Sequence, residues 1–290
     1  MTLSDFYKAI VRFGIEADPR KNKNAISFFE DSAILYGDPA SKIKKILVGI
    51  DIETPELILA DRIREKNGLD LAMAHHPEGF AFASLWGVMA IQTDLLENAG
   101  IDRAVALNFI EERIREVQRG LLPANHTRAS DAAKLLDMPF ICCHTPADNH
   151  VSEYINNLLI KEKPFHCKDI LDILNSEPEY AFAKKNHAGP ALVMGNPHRP
   201  VGKFFIEMTG GTEGPKNIYK KLYDKGVRTI ISMHVSGEHF KKVQEAHLNV
   251  IVAGHISSDT LGMNLMLDKL EKLDNLDIVC CSGFTRFKRK

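Results

Sequence analysis

Two adjacent histidines, His75 and His76, close a short apolar run that starts at Leu69, and Pro77 follows them. Neighbouring residues of a strand point to opposite faces, so one core cannot absorb both imidazoles. If the strand stops at Ala74, both rings can turn into a cavity at its carboxyl end, where α/β folds hold ligands. The pattern recurs, because apolar runs also end at His144, His234 and His255. Asp148 lies four residues after His144, and Asp259 four after His255. Positions four apart share a helix face, so His255 and Asp259 can grip one ion. Two or three neutral imidazoles with two carboxylates form a mixed nitrogen and oxygen set, suited to Zn, Fe(II), Mn or Co rather than Ca. Two carboxylates also suit a pair of ions about 3.5–4 Å apart, one carboxylate bridging, and a water shared by such a pair becomes a nucleophile near neutral pH. The competing reading gives each histidine a turn or cap role, since such spacings also arise by chance. The adjacency of the pair and its strand-end placement favour the metal.

Other groups are softer. His234 and His239 are candidates for proton transfer beside such a centre. The turn Thr209-Gly210-Gly211-Thr212-Glu213-Gly214 offers backbone N–H groups to an anion, but it lacks the Lys-Ser/Thr of a P-loop, and Glu213 would repel phosphate. His126, His150 and His198 fit no pattern and are read as structural.

The elements that must carry these residues alternate between strand and helix. Residues 45–50 read as a buried strand, Thr54-Pro55 starts a helix that stops at Gly68, and the histidine strand follows. Strand, helix, strand in this span is a βαβ unit with parallel strands and a right-handed crossover. Residues 80–138 read as mostly helical, before a second buried run reaches His144. Prolines crowd residues 161–200, which places a boundary there. Strands ending near Met208, His234 and His255 follow, with a last strand at 277–281. The expected fold is α/β: two similar lobes of mixed sheet flanked by helices, with the metal site between them. An N-terminal helix and loop (1–41) precede a domain over 42–290, divided into lobe one (42–160), a linker (161–199) and lobe two (200–290).

Composition narrows the class. A chain of 290 residues, 44% hydrophobic and 26% charged, can bury a sizeable core. A net charge of −1 argues against a nucleic-acid surface. The basic tail from Arg286 onward is most simply a frayed terminus. An odd set of 5 cysteines, with adjacent pairs in apolar runs, suits buried thiols in a reducing compartment. No signal peptide or membrane-length run is present, so a cytoplasmic protein is expected.

Taken together, Ala74-His75-His76-Pro77, then His144-Thr145-Pro146-Ala147-Asp148, then Ala253-Gly254-His255 with an acid four residues on, resemble the Nif-three-like family, often described as GTP cyclohydrolase I type two-like proteins. The resemblance runs from about Ile43 to Lys272. It implies His75, His76, Asp148, His255 and Asp259 as ligands of two divalent ions, with the adjacent histidines serving one ion each. It also implies a toroidal homohexamer with its metal sites facing a central cavity. The expected function is a metal-dependent hydrolase acting on a small molecule, with a nucleotide such as GTP as one candidate. The alternative is a non-catalytic metal-binding scaffold or regulatory protein. Two departures from the family stand out: Asp259 replaces the usual Glu, and an extra helical segment occupies about 102–135.

Overall fold

A computed structural model describes residues 1–289. In chain order the elements are α1 (Leu3–Glu16), β1 (Ser32–Tyr36), β2 (Lys45–Gly49), α2 (Thr54–Asn67), β3 (Leu71–Ala74), α3 (Gly79–Ala83), α4 (Ile91–Asn98), α5 (Arg103–Leu121), α6 (Arg128–Leu135) and β4 (Phe140–Cys143). There follow α7 (Thr145–Glu162), α8 (Cys167–Ser176), α9 (Pro178–Lys185), β5 (Ala191–Met194), β6 (Lys203–Glu207), α10 (Tyr219–Asp224), β7 (Val227–Ser232), α11 (Gly237–Glu245), β8 (Asn249–Val252), α12 (His255–Leu270) and β9 (Asp277–Cys280).

Two mixed sheets form, ordered β1-β4-β3-β2-β9 and β5-β8-β7-β6. In the first, β2, β3, β4 and β9 are parallel, and β1 runs antiparallel to β4. The second repeats the plan, with β6, β7 and β8 parallel and β5 antiparallel to β8. The lobes are therefore similar, as the sequence suggests, and β4–α7 in one corresponds to β8–α12 in the other. The equivalence puts His144 and Asp148 in the same structural position as His255 and Asp259.

Strand alternation explains the layering. Ile46, Val48, Leu71, Met73 and Ile141 face a core shared with α1 and α12, while Leu47, Ala72, Ala74 and Phe140 face α2 and α6. On the second sheet Ile231 and Ile251 pack against α7 and α8, whereas Ile230 and Val250 meet α4, α5, α10 and α11. Helices α7 and α12 contribute to the inner cores of both sheets and so form the layer between them. Parallel sheets buried on both faces have this near-continuous apolar character.

Several boundaries differ from expectation. The last strand, assigned to lobe two, instead joins the first sheet beside β2, and β1 of the supposed leader pairs with β4. Residues 161–199 hold α8, α9 and β5, because Pro178 opens a helix, a position where the missing N–H costs nothing. Within the mostly helical span 80–138, Leu85–Ala90 is a 3-10 stretch. The tail is clamped rather than frayed: Arg286 pairs with Asp268 and Glu271, and Arg289 donates to both oxygens of the buried Glu179 at 2.8 Å. Cys142, Cys143 and Cys167 are buried, but Cys280 is exposed because β9 is an edge strand. No helix among the described residues is long and apolar enough to cross a membrane.

Candidate metal centre

The carboxyl ends of the parallel strands point into the crevice between the sheets. From the first sheet, Asp51 lies just beyond β2, His75 and His76 follow β3, and His144 follows β4. From the second, Glu207 ends β6, His234 lies beyond β7, and His255 follows β8. Helix α7 then carries Asp148 in its first turn, and α12 carries Asp259 just beyond its first turn. Gly254 makes the entry into α12 possible: its φ is +105°, and a Cβ there would lie 2.6 Å from Ser257 Oγ.

The sequence candidates His75, His76, Asp148, His255 and Asp259 come together in space. His75 Nε2 stands 3.4 Å from Asp148 Oδ1 and 3.5 Å from Asp259 Oδ1. The other oxygen of Asp259, Oδ2, stands 3.4 Å from His76 Nε2 and 3.6 Å from His255 Nε2. Asp259 thus turns one oxygen toward each of two clusters. One cluster is His75, Asp148 and Asp259; the other is His76, His255 and Asp259.

The two acid-bearing helices approach closely beside the centre. Gly262, one turn along α12, rests on α7 so tightly that a Cβ there would lie 2.4 Å from the Ala147 carbonyl oxygen. This contact is next to Asp148, so the absence of a side chain at Gly262 permits the close approach of the two helices that carry the acids.

Three groups belong to the site that sequence reasoning left out. His144 Nε2 lies 3.7 Å from Asp148 Oδ2, and its ring sits 4.9 Å from that of His75. Asp31 accepts from His144 Nδ1 at 2.8 Å and from the Thr145 hydroxyl at 2.6 Å. Asp51 Oδ1 lies 2.6 Å from His76 Nδ1. A carboxylate on Nδ1 leaves Nε2 free to face the crevice, the orientation that metal-binding histidines show. His144 was visible as a strand-end histidine, and Asp51 as the acid that ends an apolar run. Nothing in the sequence marks Asp31.

His234 lines the crevice, with its ring 4.9 Å from that of His255 and its Nδ1 3.6 Å from Glu213 Oε1. His239 does not reach the crevice: its Nε2 donates to the Gly214 carbonyl at 2.8 Å, and Ser236 occupies Nδ1. The glycine turn is a wall of the crevice, its carbonyls held by Gln92 Nε2 at Gly210 (2.8 Å) and Thr212 (2.7 Å) and by Arg113 at Glu213 (3.0 Å). The α-helix after it starts only at Tyr219, so the turn is not the helix N-terminus that an anion cradle would need.

Charge at the centre is strongly perturbed. Burial pushes His75 down to about 4, which leaves a neutral imidazole at pH 7. Burial also pulls on His76, but Asp259 and Asp51 outweigh it and hold that ring protonated, up to about 10. Burial raises Asp148 to about 7, with His144 opposing and Asp259 adding. For Asp259 burial acts upward too, yet His75, His76 and His255 hold the carboxyl far below its usual range. Burial lowers His255, with Asp259 opposing.

No protein-family model matches the sequence, and no curated protein does. Solved structures do match. The NIF3 superfamily protein from Sphaerobacter thermophilus is 26% identical, over 94% of this chain and 97% of that one, with a TM-score of 0.77. The chain is thus a strong match to a NIF3-superfamily protein along nearly its whole length. The NIF3 fold is also shared with reduced HcgD from Methanocaldococcus jannaschii, 16% identical over 97% of both chains at a TM-score of 0.57. Among the described residues, clusters of His and Asp are able to coordinate metal ions.

The residues fit such ions on their own chemistry. Both nitrogens of His75, Oδ1 of Asp148 and both oxygens of Asp259 are buried without a hydrogen-bond partner. Burying such groups unsatisfied costs several kcal/mol unless something else binds them. Two ligand atoms about 2.0–2.2 Å from a tetrahedral ion stand about 3.3–3.6 Å apart, which is the spacing seen in both clusters.

Proposed function

We propose that this chain is a divalent-metal-dependent hydrolase with a dinuclear centre. His75, Asp148 and Asp259 would hold one ion, His76, His255 and Asp259 the other. The observation that carries the proposal is the double reach of Asp259, a fully buried carboxylate whose two unpartnered oxygens address separate imidazole sets. When bound, such a pair supplies Lewis acidity and a water of lowered pKa.

The protein's own groups supply the rest. Asp31 and Asp51 orient His144 and His76. A partly exposed His234 lines the crevice, and its contact with Glu213 raises its affinity for a proton despite burial. We assign His234 to proton delivery to the leaving group, with Glu213 holding it; His239 is a brace for the Gly214 turn. A cavity of about 380 Å³ opens directly on His76, His144 and His255. A closed structural centre has no such approach, and this favours catalysis over a scaffold. GTP ring opening is the member of this reaction class that the family resemblance brings, and it is one arm of the screen below.

The test is elemental analysis of protein purified without chelator, beside His76→Ala and Asp259→Ala. Two ions per wild-type chain and a deficit in both variants are expected. Wild type that stays metal-free on reconstitution would remove the centre. With metal present, turnover of phosphoesters, nucleotides or amides that survives both substitutions would remove the mechanism, and metal binding without any turnover would leave the scaffold. Native mass spectrometry tests the homohexamer, for which six copies are expected.

A further inference from the structure

The extra segment between α4 and β4 has no place in the metal centre, yet it spans the crevice. Ala106 and Ile110 of α5 pack on the second sheet's outer face, while Ala129 and Ala133 of α6 pack on the first sheet's. The connection between α5 and α6 therefore crosses the mouth of the cavity, and Asn125 and Arg128 line it. Beside Arg128 stands Glu53, the N-cap of α2, and Glu78, the N-cap of α3, lines the same cavity. Phe82 and Leu85 supply an apolar patch on the same wall.

Arg128 is the one lysine or arginine lining either this cavity or the smaller recess that shares His144, His234 and His255 with it. Its Nη2 lies 3.4 Å from Glu53 Oε2, a loose contact on a side chain that is 65% exposed. Such a pair is worth little and is readily exchanged for a ligand's charges. The smaller recess adds Glu207 and Glu213 and no lysine or arginine. Away from the imidazoles and the ions they would hold, a triphosphate would find Arg128 as its one cation, set among Glu53, Glu78, Glu207 and Glu213. A molecule with one carboxylate and one ammonium finds both partners: Arg128 with Asn125 for the first, Glu53 and Glu78 for the second.

We propose that the cavity takes a small zwitterionic amide with an apolar side chain, a dipeptide being the simplest member, and that Arg128 is the residue that selects it. The proposal rests on the hydrolase reading for its reaction. Water adds across the amide, a C–O bond forms as the C–N bond breaks, and the amine leaves with a proton, so no oxidant or co-reactant is needed. The apolar side chain lies against Phe82 and Leu85, and the amide reaches toward His76 and His255.

The experiment is calorimetric titration of protein purified without chelator, using leucylglycine, leucylglycine amide and GTP as probes, with Arg128→Gln beside wild type. Arg128 is exposed, so the variant keeps the fold, and its metal content should equal that of wild type. Leucylglycine should bind, and Arg128→Gln should weaken it by about tenfold, the loss expected for one hydrogen bond to a charged group. The amide, which lacks the carboxylate, should bind both proteins alike, and GTP should bind less tightly than the dipeptide. Tighter binding of GTP, no binding of leucylglycine, or equal affinity of the dipeptide for both proteins would overturn the assignment. Elemental analysis of the same samples separates the two readings: a protein that stays ion-free on reconstitution defeats the hydrolase, while Arg128-dependent dipeptide binding decides the pocket in either case.

Discussion

Asp259→Asn keeps the shape of the side chain and removes its charge, and its consequence differs sharply between metal-free and metal-loaded protein. Without metal, Asp259 holds a proton on His76, and the substitution leaves that imidazolium with Asp51 alone. Breaking a buried pair costs roughly 3–5 kcal/mol. His76 is partly exposed and keeps its 2.6 Å contact to Asp51, so the loss here should be only about 1–2 kcal/mol. With metal bound as proposed, the same carboxylate would serve both clusters. Two ions, each about 1,000-fold above its dissociation constant, stabilise the folded chain by about 8 kcal/mol, a rise in melting temperature on the order of 15 °C. Asp259→Asn should lose nearly all of that rise and both ions, while its metal-free melting temperature falls by only about 2–4 °C. Thermal melts with and without chelator, paired with elemental analysis, read both quantities. Retention of two ions, or of a metal-dependent rise close to that of wild type, would show that Asp259 does not bridge.

Two further outcomes follow from the packing. Gly262→Ala places a methyl group against the Ala147 carbonyl and must push α12 from α7; overpacking of this kind costs about 1–3 kcal/mol. Because the same contact spaces Asp148 and Asp259, this substitution should also weaken metal binding measurably by competition with a chromophoric chelator, and unchanged affinity would separate the helix contact from the site. His150 is buried, its Nδ1–H donating to the Pro146 carbonyl, and burial holds it down to about 4. A depressed histidine leaves the unfolded chain binding the extra proton below its ordinary value near 6.5, so its contribution is whole above that pH and is lost as pH falls toward 4. Between pH 7 and pH 5 it should remove about 2 kcal/mol of metal-free stability, a loss that His150→Gln escapes; parallel acid limbs for the two proteins in urea titrations would refute this.

The parts of this molecule that were legible in the sequence are those where local chemistry and tertiary role coincide. Strands at 45–49, 71–74 and 140–143 are apolar on both faces because both faces are buried, and each ends where a polar residue meets the crevice. His75, His76, Asp148, His255 and Asp259 could be grouped because a strand end followed by a helix start is a local pattern, made twice by two similar lobes. What was not legible depends on contacts between distant segments. Asp31 sits in an unremarkable loop and gains its role only when β1 lies antiparallel beside β4, bringing it to His144. The edge position of β9 is a pairing choice, and its short apolar run is equally suited to either sheet. Prolines at 161–200 read as breaks, although Pro178 begins a helix. Asp259 shows the limit most clearly. From the sequence it looks like a short ligand, and in the fold a glycine one turn later lets its helix rest directly on the Ala147 carbonyl. A side chain's reach is set by its length together with the approach of the backbone that carries it, so Gly262 and Asp259 are best read as one feature of the site.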